Sequence, residues 1–404
     1  METASSATRN SLFSPGKARD ELNRELKSAG SAEERKITMK EYRLSEIEHL
    51  KIHGRTTGRL DPLTLFWTAS GFEVNVTGSE LWVELEGDYD AQEPWVSTRV
   101  NGAWVSRQMV NRGRQWVCLF RGRNPQALKN VRLFKDTQAM SGDPGHLLQV
   151  HALRTDGEFL PVPEKPLRLE IIGDSITSGE GSIGAKEEED WVAMLFSAAN
   201  DYAVMTGDLM NADVRIVSQS GWGVLTAWDN NPHGTIPPIY GQVCGLLTGE
   251  RNKSLGAHLP NDFAAWQPDA VIVNLGTNDC GAFSSPEWRD ESSGERFRQR
   301  RREDGSFEPA DLRRFQLAVI AFLRELREKN PRACLLWVCG MLGNELCPAI
   351  AEAVEEYRRE TGDTRASFLE LTDDLPGRGA RSHPGRPAHQ LAANELSARL
   401  RELL

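Results

Sequence analysis

Four short segments of this sequence carry residue types that can do nucleophilic chemistry together. The first reads Ile172-Gly173-Asp174-Ser175-Ile176-Thr177. Residues 169–172 read as a buried strand, so Ser175 falls at a strand's carboxyl end, on a turn eased by a glycine. There its hydroxyl can point into a crevice and its backbone N–H can face an anion; the plain alternative is a serine capping the next helix. The second segment, Val217-Ser218-Gln219-Ser220-Gly221-Trp222-Gly223, follows a strand over 214–217. Gly223 can donate a backbone N–H with no side chain in the way, or simply belong to a flexible loop. The third, Leu275-Gly276-Thr277-Asn278-Asp279, follows a strand over 270–275. Asn278 offers a neutral amide donor to the same crevice, or makes an ordinary Asx turn. The fourth, Ser382-His383-Pro384-Gly385, precedes the last helix. Pro384 biases His383 to an extended conformation and keeps it out of a helix interior. A lone histidine is usually structural; this one lies on a loop at the carboxyl side of the sheet.

The elements that position these segments read as a parallel α/β sheet with helices on both faces. Strands are expected over 169–172, 214–217, 270–275, 334–338 and 367–371, and helices over 190–205, 312–328, 349–359 and 391–404. In 312–328 the residues Phe315, Val319, Phe322, Leu323 and Leu326 recur at helical spacing. In such sheets ligands bind beyond the carboxyl ends of the strands, where the four segments fall.

The chain before this sheet has a different rhythm. Over 37–155 short runs alternate apolar and polar residues, as in Phe72, Val74, Val76 and Leu81, Val83, Leu85, and Asn101-Gly102 stands where a hairpin turn is wanted. Many short strands without helices imply a sandwich or jelly roll. Pro161, Pro163 and Pro166 mark a stiff linker over 156–167. Residues 1–36 read as a flexible polar tail. The expected organisation is therefore a tail (1–36), a β-sandwich (37–155), a linker (156–167) and a three-layer α/β/α domain (168–404).

With 48 basic and 58 acidic residues the net charge is −10, which argues against nucleic acid or an anionic membrane as partner. The basic run over 296–302 reads as a solvated face. No run of about 18 apolar residues occurs, and 1–36 has no apolar signal core. Six cysteines without a C-x-x-C pair fit reduced thiols. The expectation is a soluble cytoplasmic protein without cofactor or metal; the oligomeric state is left open.

The four segments together resemble the SGNH hydrolase superfamily, whose blocks are named for Ser, Gly, Asn and His in that chain order. Gly173-Asp174-Ser175, Gly223, Gly276-Thr277-Asn278-Asp279 and His383-Pro384 match them. The spacings, 278 − 175 = 103 and 383 − 175 = 208 residues, are of the expected size. The resemblance covers roughly residues 167–404. It implies that Ser175 attacks an ester carbonyl, that His383 takes its proton, and that the N–H groups of Ser175 and Gly223 and the Asn278 amide hold the oxyanion. Asp174 and Asp279 are candidate supporting residues. A β-sandwich placed before such a domain resembles carbohydrate esterase family 2, which removes acetyl groups from sugars. Trp222 and Trp228, in the long loop beside Gly223, are then candidates to stack on a sugar ring, with the 228–260 segment part of the cleft rim.

One departure stands out. The family usually places an aspartate three residues before the histidine, and that position is Ala380. A main-chain carbonyl near 380–382 is the expected orienting group, with Asp373, Asp374 and Glu370 as the competing acids. Gly179-Glu180-Gly181-Ser182-Ile183-Gly184 matches a dinucleotide fingerprint, but the tight turn after the strand already belongs to Gly173-Asp174-Ser175. His389, six residues after His383 across two prolines, reads as structural and not as a metal ligand. The favoured reading is an esterase acting on an acylated small molecule or saccharide, most simply an acetyl ester. The alternatives are a lipid-directed esterase or lysophospholipase, and a non-catalytic glycan-binding relative.

Overall fold

Alternation builds the first half of the molecule. In the strand Leu81–Asp88 every second residue is buried, so Leu81, Val83 and Leu85 face a core while Trp82, Glu84 and Glu86 face outward. The computed structural model describes residues 38–373 and 377–404, and Lys40–Leu404 form one compact unit. The expected tail over 1–36 and the candidate acid Asp374 lie outside the described residues.

Leu81–Asp88 pairs with Leu147–Thr155 and Gly113–Phe120, and Lys40–Arg43 and Leu63–Thr64 complete a first antiparallel sheet. The second runs Phe159–Leu160, Gly71–Val76, Lys129–Lys135, Trp95–Val100, Ala103–Met109, with Lys51–His53 on Gly71–Val76. Inner-face residues of both sheets share one apolar cluster, among them Phe72, Val74, Val131 and Leu133 against Leu81, Val83 and Val150. Asn101 and Gly102, with φ of 53° and 79°, make the expected hairpin. Of the sandwich tryptophans, Trp67 is buried; Trp104 is 46% exposed, and Trp82, Trp95 and Trp116 are half-buried. Arginines cover the last two: Arg107 lies 4.2 Å above Trp95 and Arg154 4.1 Å above Trp116.

The second half holds five parallel strands: β1 (Leu167–Gly173), β2 (Ala212–Ser218), β3 (Ala270–Asn274), β4 (Cys334–Cys339) and β5 (Ala366–Glu370), in the order β2-β1-β3-β4-β5. Helix α1 (Tyr202–Met210) follows β1 and the short α2 (Thr277–Ala282) follows β3. They are joined by α3 (Pro309–Lys329), α4 (Cys347–Thr361) and α5 (Arg386–Leu403). Phe315, Val319, Ile350 and Val354 of α3 and α4 pack on one sheet face; Tyr202, Ala203, Leu396 and Leu400 of α1 and α5 pack on the other. Both faces are thus covered, which is why β3 and β4 are buried at every position. From β1 the chain steps to one side to β2 and then crosses to β3 on the other. The crevice between the ends of β1 and β3 is therefore the switch point where α/β sheets bind ligands.

Two expectations change. The helix expected over 190–205 is instead two 3₁₀ turns, Ala193–Leu195 and Ala198–Asn200, before α1. Asp136, from the sandwich side, accepts from the Ala199 N–H and gives its carbonyl to Ala198, so partners remote in sequence hold this segment open. The 228–260 segment, expected at the cleft rim, mostly turns inward: Ile236, Tyr240, Val243, Cys244 and Leu247 are buried in the main core.

Buried Arg55 locks these layers together. Its guanidinium donates to Glu170 of β1 at 3.0 Å and to the carbonyls of Tyr240 and Gln242. The Tyr240 hydroxyl donates to the other Glu170 oxygen at 2.6 Å. Each buried charge here is both paired and hydrogen-bonded, the condition for holding charge in a core.

Candidate active site

Gly173 ends β1 because a Cβ there would run into Thr177 Oγ1 and the Asn274 carbonyl. The chain turns at once. Asp174 accepts from the Ile176 N–H at 3.0 Å, and the Ser175 carbonyl accepts from Glu180. Ser175 stands at the crevice, and His383 Nε2 lies 3.0 Å from its Oγ. Two chain segments 208 residues apart meet here because Gly181 has no side chain: a Cβ on it would strike the Ala380 carbonyl and His383 Cβ. Gly179, Gly181 and Gly184, which mimic a dinucleotide fingerprint, all have positive φ, and the first two make room for neighbouring backbone.

His383 is oriented from behind by backbone. Its Nδ1 lies 2.9 Å from the Arg381 carbonyl, within the 380–382 segment expected to supply one. Arg381 has φ 54° and ψ 34°, a left-handed conformation that aims this carbonyl at the ring. An imidazole that donates from Nδ1 presents its Nε2 lone pair to the serine hydroxyl. The two described competing acids are engaged elsewhere: Glu370 accepts from the Asn344 amide and Asp373 from the Gly343 N–H. The carboxylate that does approach is Glu180, 3.9 Å from Nε2 and held by Arg381 Nε at 3.0 Å. Sequence reading missed Glu180 because it sits inside the false fingerprint.

Asn278 comes from the start of α2, two residues after the turn at Gly276, whose φ is 135°. Its Nδ2 donates to Asp174 Oδ2 at 3.1 Å and to the Trp222 carbonyl at 2.9 Å. Asp279 is fully buried and accepts from the N–H groups of Val224, Leu225 and Thr226. Burial raises Asp279 to about 6, against the pull of those three donors. Burial also lifts Asp174 to about 7, helped by the nearby carboxylates of Asp279 and Glu180.

Gly223 differs from expectation. Its N–H donates to the Gly234 carbonyl at 3.2 Å and so is not turned to the cleft. Its lack of a side chain serves the Asp279 carboxylate, which occupies the place a Cβ would take. At this turn the cleft is walled by Ser220 and Gly221. Gln138, buried and reaching over from the sandwich side, fixes them by accepting from both the N–H and the hydroxyl of Ser220.

The cleft has a volume of about 430 Å³. Ser175, Glu180, Asn278, Arg381 and His383 form its floor and one wall. Trp191 and Trp228 flank it, 36% and 57% exposed. Trp228 thus lies at the rim as expected. Trp222 packs instead on the main core, and Trp191 takes the second aromatic place. His389 is structural: its Nδ1 accepts from the Tyr202 N–H and its ring stacks on Tyr202.

Residues 171–391 match the model of the GDSL-like lipase/acylhydrolase family. The chain belongs to this family. Within it, the chain is 44% identical to the structure of an acetyl xylan esterase from the rumen bacterium Butyrivibrio proteoclasticus, with a TM-score of 0.88 over 90% of this chain and 98% of that one. It is 23% identical over 361 residues to an acetylxylan esterase/glucomannan deacetylase of Cellvibrio japonicus, covering 88% of this chain and 89% of the relative. It is 28% identical over 350 residues to the cellulase/esterase CelE of Acetivibrio thermocellus, covering 84% of this chain but only 37% of that protein. A family two carbohydrate esterase from Clostridium thermocellum, solved with cellohexaose, shares the fold at 24% identity and a TM-score of 0.70 over 87% of this chain and 98% of that one. Among the described residues of this family member no helix is long and apolar enough to cross a membrane.

Proposed function

We propose that this chain is a serine esterase that removes short acyl groups, in the first place acetyl, from a saccharide. The observation that carries the reading is the aligned chain Ser175 Oγ, His383 Nε2, His383 Nδ1, Arg381 carbonyl, with steps of 3.0 and 2.9 Å. Ser175 attacks the ester carbonyl as His383 takes its proton; the tetrahedral intermediate collapses when the imidazolium returns that proton to the leaving sugar oxygen. Water then repeats the cycle on the acyl-enzyme. The Arg381 carbonyl fixes the tautomer, and Glu180 supplies negative charge near the imidazolium, although Arg381 shares that charge.

The oxyanion donors in this reading are the Ser175 N–H, the Asn278 amide and the Gly221 N–H, which replaces Gly223. Gly221 lines the cleft, and Gly223's N–H is engaged. An incoming oxyanion takes the Asn278 hydrogen now given to the Trp222 carbonyl. Sugar as the alcohol fits two exposed tryptophans flanking a floor of polar side chains, and relatives named acetylxylan esterases support it. The polar side chains of that floor count against the lipid-directed reading. Cytoplasmic placement remains part of the proposal, supported by six free cysteines. The test is the rate on p-nitrophenyl acetate against the octanoate: acetate is the faster substrate, and a faster octanoate overturns the short-acyl reading.

A further inference from the structure

At the far end of the parallel sheet from Ser175, the beginnings of β1 and β2 wall a second cavity of about 240 Å³. Arg168 is the second residue of β1, seven residues before Ser175, which separates the two sites by roughly 20 Å of strand. Three cations line this cavity: Lys51, Arg168 and Arg215. Lys51 is taken up by the cavity's two acids, lying 2.7 Å from Asp213 Oδ2 and 3.5 Å from Glu164. The guanidinium groups of Arg168 and Arg215 have no hydrogen bond or ion pair among the described residues. Arg215 lies 4.3 Å from the ring centre of Trp266, which forms another wall. Glu170, its neighbour across the strands, is occupied by Arg55 and Tyr240. Burial, together with the like charges of Arg55 and Arg168, holds Arg215 at about 10 against the pull of Glu170, so it stays charged at neutral pH.

A second, independent feature is an acceptor without a donor. Asp213 is 5% exposed, and its Oδ1 is buried with no hydrogen-bond partner. His53, the remaining titratable group of the cavity, is held near 4 by burial and by Arg132, is therefore neutral, and is engaged with Glu73. The cavity thus offers two unmatched planar cations, one unmatched carboxylate oxygen and an indole. A simple anion would leave Asp213 Oδ1 without a donor, and a neutral sugar would leave both guanidinium groups without a counter-charge.

We propose that this cavity binds a hydroxylated carboxylate of sugar type, a uronic acid, with its carboxylate on Arg168 and Arg215, its ring beside Trp266 and one hydroxyl donating to Asp213 Oδ1. The ligand is either the free acid or a uronic acid unit carried on a longer saccharide. The site is separate from Ser175 and independent of the function proposed for it.

The test is calorimetric titration of the full chain with glucuronate, glucose, inorganic phosphate and an oligosaccharide ending in glucuronate. The expected result is saturable binding of glucuronate, of the oligosaccharide or of both, at least tenfold tighter than glucose or phosphate. That binding weakens at least tenfold in R168Q/R215Q, while p-nitrophenyl acetate turnover is unchanged. Binding of the oligosaccharide alone assigns the source to the polymer. If the double variant melts early, the single variant R168Q carries the test, because that side chain has no bond to lose. Absence of binding by both uronate probes, equal binding of glucose or phosphate, or undiminished binding in the variants overturns the proposal.

Discussion

His383 Nδ1 lies 2.9 Å from the main-chain carbonyl of Arg381, two residues before it, and in the proposed mechanism this bond does the work of the aspartate absent at Ala380. A carbonyl fixes the neutral tautomer as well as a carboxylate does, but it stabilises the imidazolium less. In a serine protease, spoiling the aspartate's role costs about 10⁴ in kcat, largely because the wrong tautomer results. Here the tautomer is already correct. The first prediction is that Glu370→Gln, Asp373→Asn and Asp374→Asn each leave kcat on an aryl acetate within about tenfold of wild type. A loss near three orders of magnitude in any folded variant identifies a working acid and removes the dyad.

Asn278 is gripped by the Asp174 carboxylate and the Trp222 carbonyl, so its amide is pre-aimed. Removing one oxyanion donor typically costs on the order of 10² to 10³ in kcat. Asn278→Ala is expected to fall in that range with KM little changed. A large rise in KM with kcat preserved makes it a substrate-binding group instead.

These two residues also show how far the sequence carried. The strand-end placement of Ser175 and Asn278 and the loop placement of His383 were readable from short motifs and Pro384, because such motifs encode local turns. The role of Gly223 was not. Its N–H goes to Gly234 and its missing side chain serves Asp279, contacts that depend on how a long loop folds back. Glu180 was hidden inside the false fingerprint, and its partner Arg381 lies 201 positions on; nothing local marks Trp191 as a cleft residue. The helix expected over 190–205 failed because Asp136, outside the segment, competes for its backbone.

The buried carboxylates give a pH prediction. Burial raises Asp279 to about 6, while an unfolded chain titrates near 3.9. Between about pH 4 and pH 6 the folded state holds a proton that the unfolded chain has released. Stability from this group is therefore present at low pH and lost as pH rises through that window. Asp279→Asn cannot titrate. The melting temperature of wild type minus that of the variant is expected to fall from pH 4 to pH 7; a difference that grows with pH contradicts the assignment.

Arg55 pairs with Glu170 at 3.0 Å in a site closed to water. Removing one partner of a buried pair leaves the other uncompensated and costs about 3–5 kcal/mol. Arg55→Met should lose that much in denaturant unfolding, although it lies in the sandwich half and far from Ser175 in sequence. A loss under about 1 kcal/mol shows that the two halves are joined by something else.

The central claim is that Ser175, activated by His383, deacetylates a saccharide. The most direct measurement is acetate release from acetylated oligosaccharides by wild type and Ser175→Ala, with melting recorded for both. The account predicts steady release by wild type and none above background by a variant of unchanged melting temperature. Release by the folded variant at a rate near that of wild type contradicts it.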